Sequence, residues 1–169
     1  MPAQATAVAA RPVRGFLSYA HADIPLVKRF RALLSTRLDN LREPKISVWW
    51  DEHILVGQLW DDEIRRAIRE ADFGLLLVSP ALLASDYIRD VEIPALVTAS
   101  GTAVMPVGLQ RVDFARSDLQ GLDAHQIFRY RREHETEPSW FADLGGENRA
   151  RFCLQLAAQI ADRLLPSGP

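Results

Sequence analysis

The amino-acid sequence predicts an α/β domain: a parallel β-sheet covered by helices on both faces. Three observations carry that prediction. Short apolar runs alternate along the chain with longer segments of helical period, as in successive β-α-β units. The run Phe73 to Val78 is apolar almost without a break, the pattern of a central parallel strand buried on both faces. Phe152, Leu156, Ile160 and Leu164 recur every four residues and predict a closing amphipathic helix over 147–165.

The other elements follow from local pattern. Val13 to Tyr19 reads as the first strand, and Asp23 is placed to cap a helix whose Leu26, Phe30, Leu33, Leu34 and Leu38 share one face. Ile46 to Trp50, rich in β-branched and aromatic residues, reads as the second strand, with Asp51 to Gly57 as a loop. Trp49 and Trp50 alternate, so one is expected inward and the other outward or at an interface. Helical period returns with Trp60, Ile64, Ala67 and Ile68. After the third strand, Pro80 can open a short helix, because its missing N–H costs nothing in a first turn. A second helical piece runs from Ser85 through Glu92 towards Thr98, with Pro94 near its start or at a kink. Ala103 to Leu109 reads as a fourth strand made irregular or edge-like by Pro106. Residues 113–124 read as a loop with a short helix, and Gln126 to Arg129 as a weak fifth strand. The five strands are expected in the flavodoxin-like order 2-1-3-4-5, with ligands bound beyond the carboxyl ends of the strands near the switch point. The segments after strands one, two and three then share one cleft. Residues 1–12 read as a flexible leader, 13–165 as the domain and 166–169 as a disordered tail.

Composition narrows the function. A chain of 169 residues, 48% hydrophobic and 25% charged, suits one soluble domain with one core. A formal net charge of −2 gives no electrostatic basis for nucleic acid as a partner, and the basic run Arg129 to Arg132 is followed at once by Glu133 and Glu135. The single cysteine, Cys153, lies in an apolar helical pattern and reads as a buried structural thiol, compatible with the cytoplasm. No stretch is long and apolar enough to span a membrane, and no membrane partner is expected. The four histidines lack metal-ligand spacing, no glycine-rich phosphate loop is present, and Ser79-Pro80 is not a nucleophile elbow. Neither a metal nor a bound cofactor is expected.

Three segments stand out instead. The first is Phe16-Leu17-Ser18-Tyr19-Ala20-His21-Ala22-Asp23, at the end of strand one. The second runs from Trp50-Asp51 through Leu55, Gly57 and Trp60 to Ile64. The third runs from Leu77-Val78-Ser79-Pro80 through Ser85 and Tyr87 to Glu92-Ile93. Together they resemble the bacterial-type TIR (Toll/interleukin-1 receptor) domain family in order, spacing and residue type, over nearly the whole chain. The first matches its F-[IL]-S-Y opening. The second matches its second strand and following loop, and the third its Ser-Pro block leading to a helix with an acidic residue.

The resemblance implies one of two functions. Some family members cleave the bond between nicotinamide and ribose in NAD+, and others are adaptors that only assemble with further TIR domains. In the enzymes a glutamate on the helix after strand three is essential, and the matching position here is Glu92, with Asp90 as a minor rival. The chemistry fits a lone carboxylate. Nicotinamide leaves as a neutral molecule, positive charge grows at the ribose anomeric carbon, and a carboxylate beside it stabilises that charge without a metal or a strong nucleophile. Taken by itself, a glutamate on a helix is most often a solvated surface residue.

Around Glu92 the resemblance implies a substrate site formed by Ser18, Tyr19, His21, Asp51, Leu55 and Tyr87. Ser18 and Tyr19 face the expected cleft, although Tyr19 also suits the core. Tyr87 either stacks on a ring of the ligand or packs at a helix start. His21 is placed for ribose or phosphate, its neutral form favouring ribose. Asp51 also suits a turn cap, and Trp60 is more readily core than platform. The loop 51–58 has an apolar tip at Ile54 to Gly57, which points to a partner. In the family this loop packs on a neighbouring TIR domain and helps complete the site, so activity is expected to require self-assembly. The product would be ADP-ribose or a cyclic isomer, in bacterial antiphage defence or signalling, with a sensor domain separate or fused. NAD+ is then substrate rather than cofactor.

Overall fold

The structure is a computed structural model that describes residues 11–50, 58–98, 101–122 and 125–165, with side chains in the second helix described from residue 61. Its sheet has four parallel strands in the order β2-β1-β3-β4: β1 Val13–Ser18, β2 Ile46–Trp49, β3 Phe73–Val78 and β4 Ala103–Gly108. The helices are α1 Ile24–Asp39, α2 Gln58–Glu70, α3 Pro80–Leu83, α4 Ile93–Thr98 and α5 Gly146–Leu164. The expected leader and tail lie outside the described residues, except for Arg11 and Pro12. Arg11 is exposed and pairs with Asp72 at 2.5 Å.

Strand alternation builds two cores from one sheet. Leu75 and Leu77 of β3 face α1 and α5, where Phe30, Phe141 and Phe152 meet edge to face at 5.3 and 5.4 Å. Leu76 and Val78 face the opposite way, onto Ile64, Ile68, Ile88 and Leu96. All six residues of β3 are buried, as a strand covered on both faces should be. Gly74 matters on the second face. A Cβ there would lie 2.9 Å from Leu96, so its absence lets α4 sit directly on the sheet. Cys153 is buried, with its thiol 3.8 Å from the Phe30 carbonyl, and burial pushes its pKa up to about 12.

Four sequence expectations need revision. The run 126–129 does not form a fifth strand. It makes one parallel bridge, Val107 to Phe128, before Tyr130 turns into an antiparallel bridge with Ser139. Pro106, on the outer strand, offers its carbonyl to Phe128 N–H at 2.8 Å but has no N–H to return, so pairing does not spread. Asp23 precedes α1 but does not cap it with its side chain, which turns inward instead. Trp49 and Trp50 do leave opposite faces of the strand, but both are half-buried. Trp49 stacks on Phe16 at 5.3 Å, while Trp50 lies under the Arg31 guanidinium at 3.9 Å. Finally, the helix expected from Ser85 to Thr98 is interrupted by a π-turn, Ile88–Glu92, in which Ile93 N–H donates to Ile88 O. The widened turn sits immediately before Pro94, which has no N–H with which to close an ordinary helical bond to Asp90.

A candidate active site around a buried glutamate

Glu92 ends the π-turn and is buried, with 7% of its surface exposed. It is on the same helical face as Ile88 and Leu96, so a carboxylate interrupts an apolar stripe that packs on the sheet. Ser18 ends β1, at the carboxyl end of the sheet, and shares the face of Phe16. Its hydroxyl donates to Glu92 Oε2 at 2.5 Å. Among the described residues this is the hydrogen bond that Glu92 receives. One neutral donor does not replace water around an ion. Burial therefore raises the Glu92 pKa to about 7, against the lowering effect of Ser18.

Tyr87 lies one turn before Glu92 and is half-buried. Its phenol donates to Asp61 Oδ1 at 2.5 Å, tying the first turns of α2 to the π-turn. Burial first, and then this bond, push the Tyr87 phenol above the ordinary tyrosine range. The same bond, followed by Arg65, holds the Asp61 carboxyl below its usual range. Residue 61 was not among the expected site residues. It is an acidic residue in the first turn of a helix, a common position, so the sequence carries no signal for this role.

The remaining expected residues divide. Tyr19 leaves the chain on the other face from Ser18, packs against the α1 and α5 core and lies 6.1 Å from Trp50. His21 is exposed on a 3-10 turn, His21–Asp23. Asp51, Leu55 and the 51–57 part of the expected assembly loop lie outside the described residues, as does the side chain of Trp60. Asp90 is exposed and paired with Arg89 at 2.7 Å, which holds its carboxyl below the usual range, so it is a surface ion pair. Asp23, by contrast, is buried and accepts from Ser79 Oγ at 2.5 Å and from Gln110 Nε2 at 2.6 Å. Ser79 also accepts from Leu82 N–H, capping α3. The network joins the ends of β3 and β4 to the turn after β1.

The order of elements, the parallel sheet and an acidic helix after β3 agree with a sequence model of the TIR domain, which matches residues 16–139. The chain belongs to the TIR family. The match covers Ser18, Tyr87 and Glu92 together. This TIR domain is also similar to "Uncharacterized protein y4lF" of Sinorhizobium fredii (strain NBRC 101917 / NGR234), with 35% identity over 113 residues, 64% of this chain and 34% of that protein. The chain thus spans about a third of the length of that relative. The TIR family includes NAD+-cleaving enzymes, and TIR domains generally interact with one another. Among the described residues, no helix is long and apolar enough to cross a membrane, and no group of three or more His, Cys, Asp or Glu could hold a metal ion.

Proposed function

We propose that this TIR domain is an NAD+ nucleosidase with Glu92 as its catalytic residue. The observation that carries the reading is a buried glutamate at the carboxyl end of a parallel sheet with one hydroxyl donor and a pKa near neutrality. A cationic nicotinamide riboside beside Glu92 lowers the carboxyl pKa and favours the ionised form. As the bond between C1′ and the pyridinium nitrogen breaks, its electron pair leaves with nicotinamide. The carboxylate then faces the developing positive charge in a water-poor setting, where the interaction is strong. Water adds to C1′ and loses a proton to give ADP-ribose, or a nucleophilic atom of the same molecule adds to give a cyclic isomer. Ser18 holds Oε2 in place, and Tyr87 holds the π-turn to α2.

The substrate site includes His21, Asp51 and Leu55, the last two through the 51–58 loop, while Tyr19, packed in the α1 and α5 core, supports the end of β1 from behind. Assembly with other TIR domains through that loop completes the site. In a bacterial cell, NAD+ loss or a cyclic signal suits antiphage defence, in the cytoplasm where NAD+ is abundant. Purified protein incubated with NAD+ over a range of protein concentrations, with and without a crowding agent, tests this. Nicotinamide release should rise faster than linearly with protein and vanish in Glu92→Ala. Equal silence of both proteins when crowded would favour a non-catalytic adaptor.

A further inference from the structure

A polar cavity lies at the β4 edge of the sheet, between the 125–138 segment and α5, with a volume of about 1050 Å³. Arg129, Arg131 and Arg163 line it together with Phe114, Gln159 and Glu137. None of the three arginines has a carboxylate within 4.0 Å among the described residues, whereas neighbouring Arg132 pairs with Glu135 and Arg111 with Asp143.

Arg129 is built into place. Gly108 admits it: a Cβ there would lie 2.8 Å from Arg129 Cγ and 2.8 Å from Trp140. Its guanidinium stands 5.1 Å from the Phe114 ring and 5.4 Å from the Trp140 ring, which fix its plane. Its Nε is buried and has no acceptor. Burial weakens its hold on the proton, and Arg111 and Arg131 act in the same direction against Glu137. A guanidinium held between two rings at the cavity wall, with two more arginines lining the same cavity, suits the tetrahedral oxygens of a phosphate. Phe114, 44% exposed at the rim, offers a flat apolar surface to a base.

We infer that this cavity binds a nucleoside monophosphate, with its phosphate on Arg129, Arg131 and Arg163 and its base on Phe114. The cavity shares no lining residue with the Glu92 site, and the inference does not rest on the proposed nucleosidase activity.

Calorimetric titration with AMP, ribose 5-phosphate, inorganic phosphate and adenosine tests it. AMP should bind most tightly, the two simpler phosphates more weakly and adenosine not measurably. Arg129→Gln should weaken AMP about tenfold or more, and the exposed Arg131→Gln, which leaves the core untouched, severalfold. Phe114→Ala should weaken AMP but leave ribose 5-phosphate unchanged. Methyl NMR should show AMP shifting Leu119 and Ile127 rather than Ile93. The inference is overturned by AMP that fails to bind at millimolar concentration. It is equally overturned by shifts confined to Ile93, or by binding that Arg131→Gln and a folded Arg129→Gln leave unchanged.

Discussion

Two buried carboxylates lie near the carboxyl ends of the strands, and both take a serine hydroxyl at 2.5 Å. Their surroundings differ. Asp23 receives a second donor, the Gln110 amide, so hydrogen bonds hold both of its oxygens. Among the described residues Glu92 receives Ser18 alone and sits in an apolar stripe, where burial raises its pKa to about 7. A fully bonded carboxylate ties elements together. One that is buried with a single neutral donor can gain when a cation arrives. The number of donors, more than burial itself, separates structural acid from candidate catalyst here.

The sharpest break of that comparison is paired substitution. Glu92→Gln should cut nicotinamide release by on the order of 10²–10³-fold or more while leaving the fold intact. Asp23→Ala should strand the Ser79 hydroxyl and the Gln110 amide, costing about 2–4 kcal/mol of stability in denaturant melts. Its rate, measured on the folded fraction, should fall far less.

Stability against pH separates the two residues further. The folded pKa of Glu92 is raised, so the folded state holds its proton more tightly than the unfolded chain. Stability from this group is greatest below the ordinary carboxyl value of 4.5, is lost as pH rises to about 7, and stays low above it. Glu92→Gln should therefore raise stability at pH 8, by about 3 kcal/mol, and the gain should fade near pH 4. Thermal melts at both pH values check this.

Ser18→Ala sharpens the comparison by removing the single donor. The wild-type kcat/KM for NAD+ should rise with pH to a plateau through a midpoint near 7, because the free enzyme must ionise Glu92. In Ser18→Ala the midpoint should move higher. The smallest expected effect is that of Tyr87→Phe, which loses the bond to Asp61. It should cost about 1 kcal/mol of stability and slow turnover severalfold without moving the midpoint.

Much of the fold was legible because β3 is apolar throughout and α5 keeps a strict apolar period, and both features are set by burial alone. The fifth strand failed because a short run of β-forming residues says nothing about whether its neighbour has N–H groups to pair with. Pro106 marks β4 as irregular or near an edge, and β4 is the outer strand, but the pattern alone does not say that the missing N–H stops the next pairing. The π-turn was hidden in the same way: Pro94 announced a kink but not its geometry. Position 92 came from resemblance alone, since a glutamate on a helix otherwise reads as solvated; its burial beside Ile88 and Leu96 is a finding of the structure. The inward turn of Asp23 and the Tyr87–Asp61 bond depend on residues far apart in sequence, joined by packing that no local pattern records.

Titration of the side-chain carboxyl carbons by NMR, with and without a non-cleavable NAD+ analogue, tests the central claim most directly. Glu92 should titrate with a midpoint near 7 in the free protein, and the midpoint should fall when the cationic analogue binds. A Glu92 that titrates near 4.5 and ignores the analogue would contradict the account.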